Sequence, residues 1–411
     1  MEPIKLKEYK KSKPITLKAE ELRILKGPFK NKIEVIAETE DKYVLHSSQF
    51  IGAIALPNRL IEIKPKIDIQ NIFFMLTYAY ELADFRKEEF PYEETEDIFE
   101  FLVDIYTQHL QDLVRRQGLH KGYVDYEENL GSVKGRILIL ENMRINPFMH
   151  HQIYCKYSEL TVDILENQIL RYTLSRLSRN HYKNPELPRR IRNLQYHFDE
   201  VSLEYLTEDV FSKLNYTRLN QHYESIHNMS RIFIRNMGLE YELGESKFPS
   251  FLLDMNLLFQ DFITGYITPR LPCEILPKES VYLDEKEKIK TEPDIRIKKN
   301  DKDLLVLDTK WKKIKDKEIK HSDIYQVLSY TIALDIDRGV LIYPEHEIEN
   351  NQEKEIEYTI KNVNKKIKIL TVNLGRDKES LEEDMGKLIE KICKLLTTKE
   401  EQQPCPAMVR A

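Results

Sequence analysis

The sequence predicts an α+β multidomain protein: a small β-rich N-terminal domain, a helical middle region with a projecting hairpin, and a C-terminal α/β domain. Three observations carry this. Short β-prone runs crowd residues 1–70. Apolar residues then recur at helix spacing through much of 71–240, and helical and strand-like runs mix over 241–396. A chain of 411 residues is long enough for two or three domains, and an apolar content of 41% can fill real cores.

In the first region, ITLKAEELRIL, KIEVIAET, YVLHSS, FIGAIALP and RLIEIKPKI are separated by Gly, Pro, Asn and charge, as in a small barrel or sandwich. The second region opens with NIFFMLTYAYELA. DIFEFLVDIYTQHLQDLVRRQG then sets Phe99, Leu102, Val103, Tyr106, Leu110 and Leu113 on one helix face, with Gly118 as its stop. Next, GYVDYEENLGSVKGRILI alternates around Gly131 and Gly135, which predicts two short strands meeting at a projecting turn within 120–140. VDILENQILRYTLSRLSRN and RLNQHYESIHNMSRIFIRN resume helices.

The third region begins with a helix in FLLDMNLLFQDFITGYI, whose core face is Met255, Leu258, Phe259, Phe262 and Tyr266. Strands at 280–283, 293–298 and 303–308 follow. A helix over Ser322–Asp335, strands at 339–343 and 366–372, and a helix over 378–396 complete it. The polar tail, 397–411, is expected to be disordered.

The net charge of −6, from 63 basic and 69 acidic residues, argues against a nucleic-acid coat protein but allows a local basic groove. Cys155, Cys273, Cys393 and Cys405 are scattered without a CxxC and read as reduced thiols. The N-terminus lacks the apolar core of a signal peptide, and no run of about 18 apolar residues occurs. A cytoplasmic protein with no membrane partner is the expectation.

The chemistry concentrates in EPDIRIKKNDKDLLVLDTKWK. Alternation along a strand sets Asp308 and Lys310 on one face. A tight turn near Asn300–Asp301 brings Asp294 across from Leu307 or Asp308. Two carboxylates and an ammonium then converge. Converging carboxylates repel unless a cation joins them, which points to a hard divalent metal such as Mg²⁺, with the Thr309 carbonyl as a third oxygen. Lys310 would orient a water or stabilise a pentavalent phosphorus. The same residues also read as a turn cap and a solvated strand end. The apolar run Leu304–Leu307 favours a buried strand. Downstream, SDIYQVLSY sets Gln326 and Tyr330 on one helix face, placed to close over the site and touch a nucleic-acid backbone.

Other signals are weaker. GSVKGRILI is no phosphate-binding loop, since it lacks GK[ST], so the chain is not expected to bind GTP or ATP alone. Adjacent His150 and His151 point apart. LPRRIRNLQYHF fits either a phosphate contact or a solvated helix face. Trp311 is expected to pack beneath the active strand.

The Asp294, Asp308, Lys310 and Gln326–Tyr330 ensemble resembles the PD-(D/E)XK nuclease superfamily. FLLDMNLLFQDFI, EPDIRI, LVLDTKWK, SDIYQVLSY and LIYP, together with YSELTVDILENQILRYTL (Asp163 and Asn167) and GSVKGRILI, resemble the McrC family across about residues 50–345. These are nuclease subunits of McrBC-type modified-cytosine restriction systems. The resemblance implies catalysis by Asp294, Asp308 and Lys310 with Mg²⁺. It also implies a supporting Gln326 and Tyr330, and an McrB-type AAA+ GTPase hexameric ring as partner. Double-stranded DNA, modified-cytosine DNA included, is the implied substrate. A finger-like element containing Gly131, Gly135 and Arg136 would stimulate the ring. The family usually has Phe-Glu where this chain has Phe259-Gln260, which puts a first-helix metal-assisting carboxylate in doubt. A stand-alone RecB-like repair nuclease and a non-enzymatic activator of an AAA+ ring are the alternatives.

Overall fold

Alternating burial builds the N-terminal strands. Ile4–Lys7 (β1) is followed by the helix Ala19–Lys26 (α1), then Ile33–Ala37 (β2), Tyr43–Ser47 (β3), Phe50–Leu56 (β4) and Arg59–Lys64 (β5). In β5, Ile61 and Ile63 face inward while their neighbours are only half-buried. β2 and β3 form an antiparallel hairpin, while β4 pairs antiparallel and β1 parallel with β5. Ile69–Ala79 (α2) is apolar nearly all round, with every residue from Asn71 to Tyr78 buried. Such a helix must be covered on all sides.

This computed structural model describes residues 3–396 except 40, 58, 83, 86–96, 150, 238–240, 244, 245, 249, 313–318 and 346–355. His150 and the tail 397–411, both singled out above, lie outside the described residues. The chain divides into two units, one formed by Met1–Ile98 with Phe251–Ala411 and the other by Phe99–Ser250.

The second unit carries Ile98–Gln117 (α3) from Phe99 onward, Gly122–Leu130 (β6), Arg136–Ile137 (β7), Ile139–Ile145 (α4) and Ile153–Thr161 (β8). Leu165–Leu177 (α5), Glu186–Gln195 (α6), Glu224–Asn236 (α7), Tyr241–Leu243 (β9) and Ser246–Phe248 (β10) follow. The face read from Phe99 to Leu113 is buried, and Gly118, at φ +71°, ends α3. The basic helix α6 buries Leu187, Ile191 and Leu194 and commits Arg190 to Asp104 at 2.5 Å.

The chain re-enters the first unit through Phe251–Asp254 (β11) and Met255–Ile267 (α8). β11 pairs antiparallel with β4, and α8 covers α2, with Phe74–Phe262 ring centroids 5.8 Å apart and Tyr78–Tyr266 4.8 Å apart. This differs from the expected separation at residues 70 and 240. Neither the small N-terminal sheet nor α2 is complete without β11 and α8, so residues 1–98 fold with the C-terminal region.

The remaining elements are Glu274–Pro277 (β12), Val281–Tyr282 (β13), Lys290–Thr291 (β14), Ile295–Lys299 (β15), Lys302–Thr309 (β16), His321–Ala333 (α9), Arg338–Glu345 (β17), Ile356–Thr359 (β18), Lys366–Asn373 (β19) and Lys378–Leu396 (α10). Six of these strands form one sheet in the order β12-β15-β16-β17-β19-β18. β16, β17 and β19 run parallel at its centre, and antiparallel strands flank them. Parallel strands buried on both faces read as apolar runs, and Leu305, Val306 and Leu307 are fully buried. α9 lies close over this sheet. A Cβ at Gly339 would stand 2.3 Å from the Val327 side chain, so only glycine allows the approach. Among the described residues, no helix is long and apolar enough to cross a membrane.

Candidate active site

The turn between β15 and β16 is Asn300–Asp301, with φ of 52° and 60°. Both residues tolerate the left-handed region, and two such residues make the tight turn that suits a twisted hairpin. Ile295 pairs with Leu307, so Asp294 falls beside Asp308 at the far end of the hairpin. The register shift between Ile297 and Lys298 lies nearer the turn.

Asp294 is held by Thr309. Its Oδ2 accepts from the Thr309 backbone N–H at 2.6 Å and from the Thr309 hydroxyl at 2.8 Å. From the sequence only the Thr309 carbonyl is expected to serve the site. Its N–H and hydroxyl fix the neighbouring carboxylate.

Asp308 is the last residue but one of β16, with none of its surface exposed. Neither side-chain oxygen has a hydrogen bond of good geometry, and the Lys310 ammonium stands 2.6 Å from Oδ2. Burial, then the Asp294 charge, pushes this carboxyl up to about 7, against the pull of Lys310. Among the described residues, no group of three His, Cys, Asp or Glu side chains gathers to hold a metal.

Gln326 and Tyr330 meet as their spacing predicts. The Gln326 amide donates to the Tyr330 hydroxyl at 2.5 Å, which donates to the Glu292 carbonyl at 3.1 Å. The pair therefore braces the chain that leads into Asp294. The phenol is pushed up to about 12 by burial and by the Asp308 charge.

Asp294, Thr309 and Lys310 line a cleft of about 1090 Å³, with Gln260 from α8 on its wall. Five further lysines line it: Lys7, Lys10, Lys66, Lys312 and Lys320. Lys312 is paired with Asp323 at 2.6 Å, and Tyr343 donates to the same carboxylate at 2.7 Å.

The chain matches the family model described as "McrBC 5-methylcytosine restriction system component" over residues 45–344. The chain belongs to this McrBC family. It is 24% identical over 340 residues to the type IV methyl-directed restriction enzyme EcoKMcrBC of Escherichia coli (strain K12), a match covering 76% of this chain and 94% of that relative. In fold it is similar to a chain of a solved half-complex from the tetradecameric assembly of Thermococcus gammatolerans McrB AAA+ hexamers with bound McrC. The TM-score is 0.61 at 18% identity, covering 95% of this chain and 100% of that chain. The McrBC match includes every site residue named above from Gln260 to Tyr343.

The other residues that carried the resemblance lie in the unit of Phe99–Ser250. Asn167 donates to the carbonyls of His120 at 2.8 Å and Val162 at 2.7 Å, and accepts from Tyr223 at 3.0 Å. It thus stitches the residues that flank the β6–β8 hairpin. Asp163 accepts from the Ser202 N–H at 2.8 Å and from Gln168 at 2.9 Å. Both have structural partners.

The expected turn around Gly131 and Gly135 is corrected. β6 pairs along its nine residues with β8, and β7 pairs with the opposite edge of β8. The chain between β6 and β8 makes an excursion that includes α4. Gly135, at φ +65°, is tight: a Cβ would meet the Lys156 carbonyl at 2.5 Å and Tyr157 Cβ at 2.6 Å. Gly131 has open space. Arg136 is exposed and registers with Lys156. Beyond it Ile139, Leu140, Met143 and Phe148 are exposed, Phe148 by 89%.

Proposed function

We propose that this chain is the nuclease and GTPase-stimulating subunit of an McrBC-type restriction endonuclease, and that the sheet carrying Asp308 is a PD-(D/E)XK nuclease core. It cuts DNA phosphodiesters with Mg²⁺ at Asp294, Asp308 and Lys310. An McrB-type AAA+ hexameric ring recognises the DNA and consumes GTP. The observation that carries the reading is the adjacency of Asp294, Asp308 and Lys310, with Asp294 and Lys310 lining a lysine-rich cleft and Asp308 buried beside them.

The donor set fits a hard cation. Two carboxylates adjoin, and the buried oxygens of Asp308 lack hydrogen bonds of good geometry. Asp294, Asp308 and the Thr309 carbonyl would hold Mg²⁺. The ion would supply positive charge to the phosphodiester oxygens and offset the charge on the leaving oxygen. Lys310 donates hydrogen bonds to a phosphoryl oxygen or to the attacking water. The water oxygen bonds to phosphorus and gives up a proton to solvent, the P–O bond to the leaving oxygen breaks, and that oxygen takes up a proton from solvent, so one water is consumed and no net proton. Lys7, Lys10 and Lys320 meet the neighbouring phosphates, which positions the strand without reading its bases. The exposed apolar residues of α4 and the loop after it, a surface monomeric proteins rarely leave bare, support ring docking by the β6–β8 hairpin and Arg136.

Purified chain incubated with DNA and Mg²⁺, with and without the McrB-type protein and GTP, tests this. Cleavage is expected only with both. Cutting by the isolated chain would instead indicate a RecB-like nuclease, and stimulated GTP turnover with no cutting under any condition would indicate a non-enzymatic activator. In the complete complex, Asp308→Ala and Lys310→Ala should each lower cleavage by about 100-fold or more. Stimulation of GTP hydrolysis should survive.

A further inference from the structure

Lys310 directly follows β16, where the ladder to β17 ends, with Lys310 N donating to Ile342 O at 2.9 Å. The next residue, Trp311, is gripped from the turn that follows β1. The Trp311 indole N–H donates to Glu8 Oε1 at 2.5 Å, and Tyr9 donates its phenol proton to the Trp311 carbonyl at 3.1 Å. Glu8 and Trp311 are 303 residues apart in the chain.

The grip is rigid on the N-terminal side. Glu8 N donates to Lys64 O at 3.0 Å, Lys10 N to Lys7 O at 2.9 Å, and the Ser47 hydroxyl to Lys7 O at 2.7 Å. Tyr9 adopts φ 55°, a conformation that costs an aromatic residue energy and persists only where its surroundings enforce it. The Lys66 ammonium lies 3.9 Å from the Tyr9 ring centre and 3.6 Å from Glu8 Oε1. On its other side Trp311 packs against Phe259, with ring centroids 5.5 Å apart. Burial pushes the Glu8 carboxyl up to about 7 against Lys66 and the Trp311 hydrogen bond. A group so buried is costly, and a core of the same shape would not need it.

We propose that Glu8 is a positioning residue for Lys310: by holding the Trp311 indole it fixes the backbone that carries the lysine, keeping the ammonium at Asp308 and the scissile phosphate. This rests on the nuclease reading above. It makes the N-terminal sheet a working part of the cutting site.

The test uses the chain in complex with its McrB-type partner. Glu8→Ala removes the acceptor, Glu8→Gln keeps one, and Trp311→Phe removes the donor while keeping an aromatic ring. Misplacing a catalytic group by about 1 Å costs on the order of 100-fold. Glu8→Ala and Trp311→Phe should therefore each slow single-turnover cleavage at saturating DNA by about 10-fold or more, with DNA affinity and GTPase stimulation within about twofold of the parent. Glu8→Gln should stay within about threefold, and Glu8→Ala with Trp311→Phe should be no slower than either alone.

Trp311 is the only tryptophan of the chain, so its fluorescence reports this position without any activity. Acrylamide quenching should rise in Glu8→Ala and not in Glu8→Gln. Parental cleavage rates in Glu8→Ala and Trp311→Phe, where Asp308→Ala is inactive, would overturn the proposal. So would Glu8→Gln as slow as Glu8→Ala, or a loss confined to DNA affinity. Should Glu8→Ala not fold, Glu8→Gln and Trp311→Phe decide by the same criteria. If Asp308→Ala itself cuts at the parental rate, the nuclease reading has failed instead.

Discussion

Gln260 shows how a single residue separates what local sequence reveals from what it conceals. Asp294, Asp308 and Lys310 were legible because their relation is local: one tight turn and one strand period bring them together. Gln260 is half-buried and lines the same cleft as Asp294, so a glutamate there would add a carboxylate to that cleft. We predict that Gln260→Glu cuts at least as fast as the parent and needs less Mg²⁺ for half-maximal rate. Without metal the added charge should repel Asp294, lowering the melting temperature in chelator by a few degrees, and Mg²⁺ should restore it. A severe loss of cleavage, with no recovery at high Mg²⁺, would assign the amide a packing role. The second role of Thr309 was not legible, because a threonine in a strand is ordinary until its hydroxyl is seen on Asp294. Glu8 was concealed more deeply, since no periodicity links it to a tryptophan at the other end of the chain.

Among the elements, the sequence disclosed strands and helices well where a run was long and regular, as in α3, α8, β16 and α10. It misjudged the pairing of β6. Alternation marks a strand but does not name its partner, and the glycines nearest to β6 drew the reading toward β7. The true partner, β8, lies beyond the α4 excursion, where register depends on side chains across the ladder. The two glycines accordingly differ in consequence. Gly135→Ala should destabilise the chain by about 1–3 kcal/mol in urea unfolding, through both its positive φ and the Lys156 contact. Gly131→Ala should stay within about 0.5 kcal/mol. Arg136→Ala should weaken GTPase stimulation while the melting temperature holds within a few degrees, since an exposed arginine contributes little to folding. A collapsed melting temperature with unchanged stimulation would make Arg136 a brace and move the activating surface elsewhere.

At the scale of the whole molecule, domain boundaries were the least legible feature. They depend on which distant segment completes a sheet, as β11 completes that of β1, β5 and β4. The two units also bury titratable groups of opposite character. In the first, Glu8 rises from 4.5 to about 7 and Asp308 from 3.8 to about 7, both first by burial. A raised carboxyl favours folding in its neutral form. Its contribution is greatest below the unfolded value and is lost as pH climbs toward the folded one. In the second unit, His227 is fully buried between Tyr216 and the Glu166 carbonyl, and burial lowers it from 6.5 to about 4. A depressed histidine favours folding when neutral, so its contribution is present above 6.5 and is lost as pH falls toward 4. For Glu8 and His227 the shifts correspond to roughly 3 kcal/mol each as an upper bound. Moving from pH 7.5 to about 5 in chelator should therefore stabilise the first unit while weakening the second. Hydrogen exchange read segment by segment checks this: protection should fall in α5 and α7 and hold or rise in β16 and β17. Loss of protection in β16 and β17 ahead of α7 would show that the buried carboxyls are ionised and compensated in the folded chain.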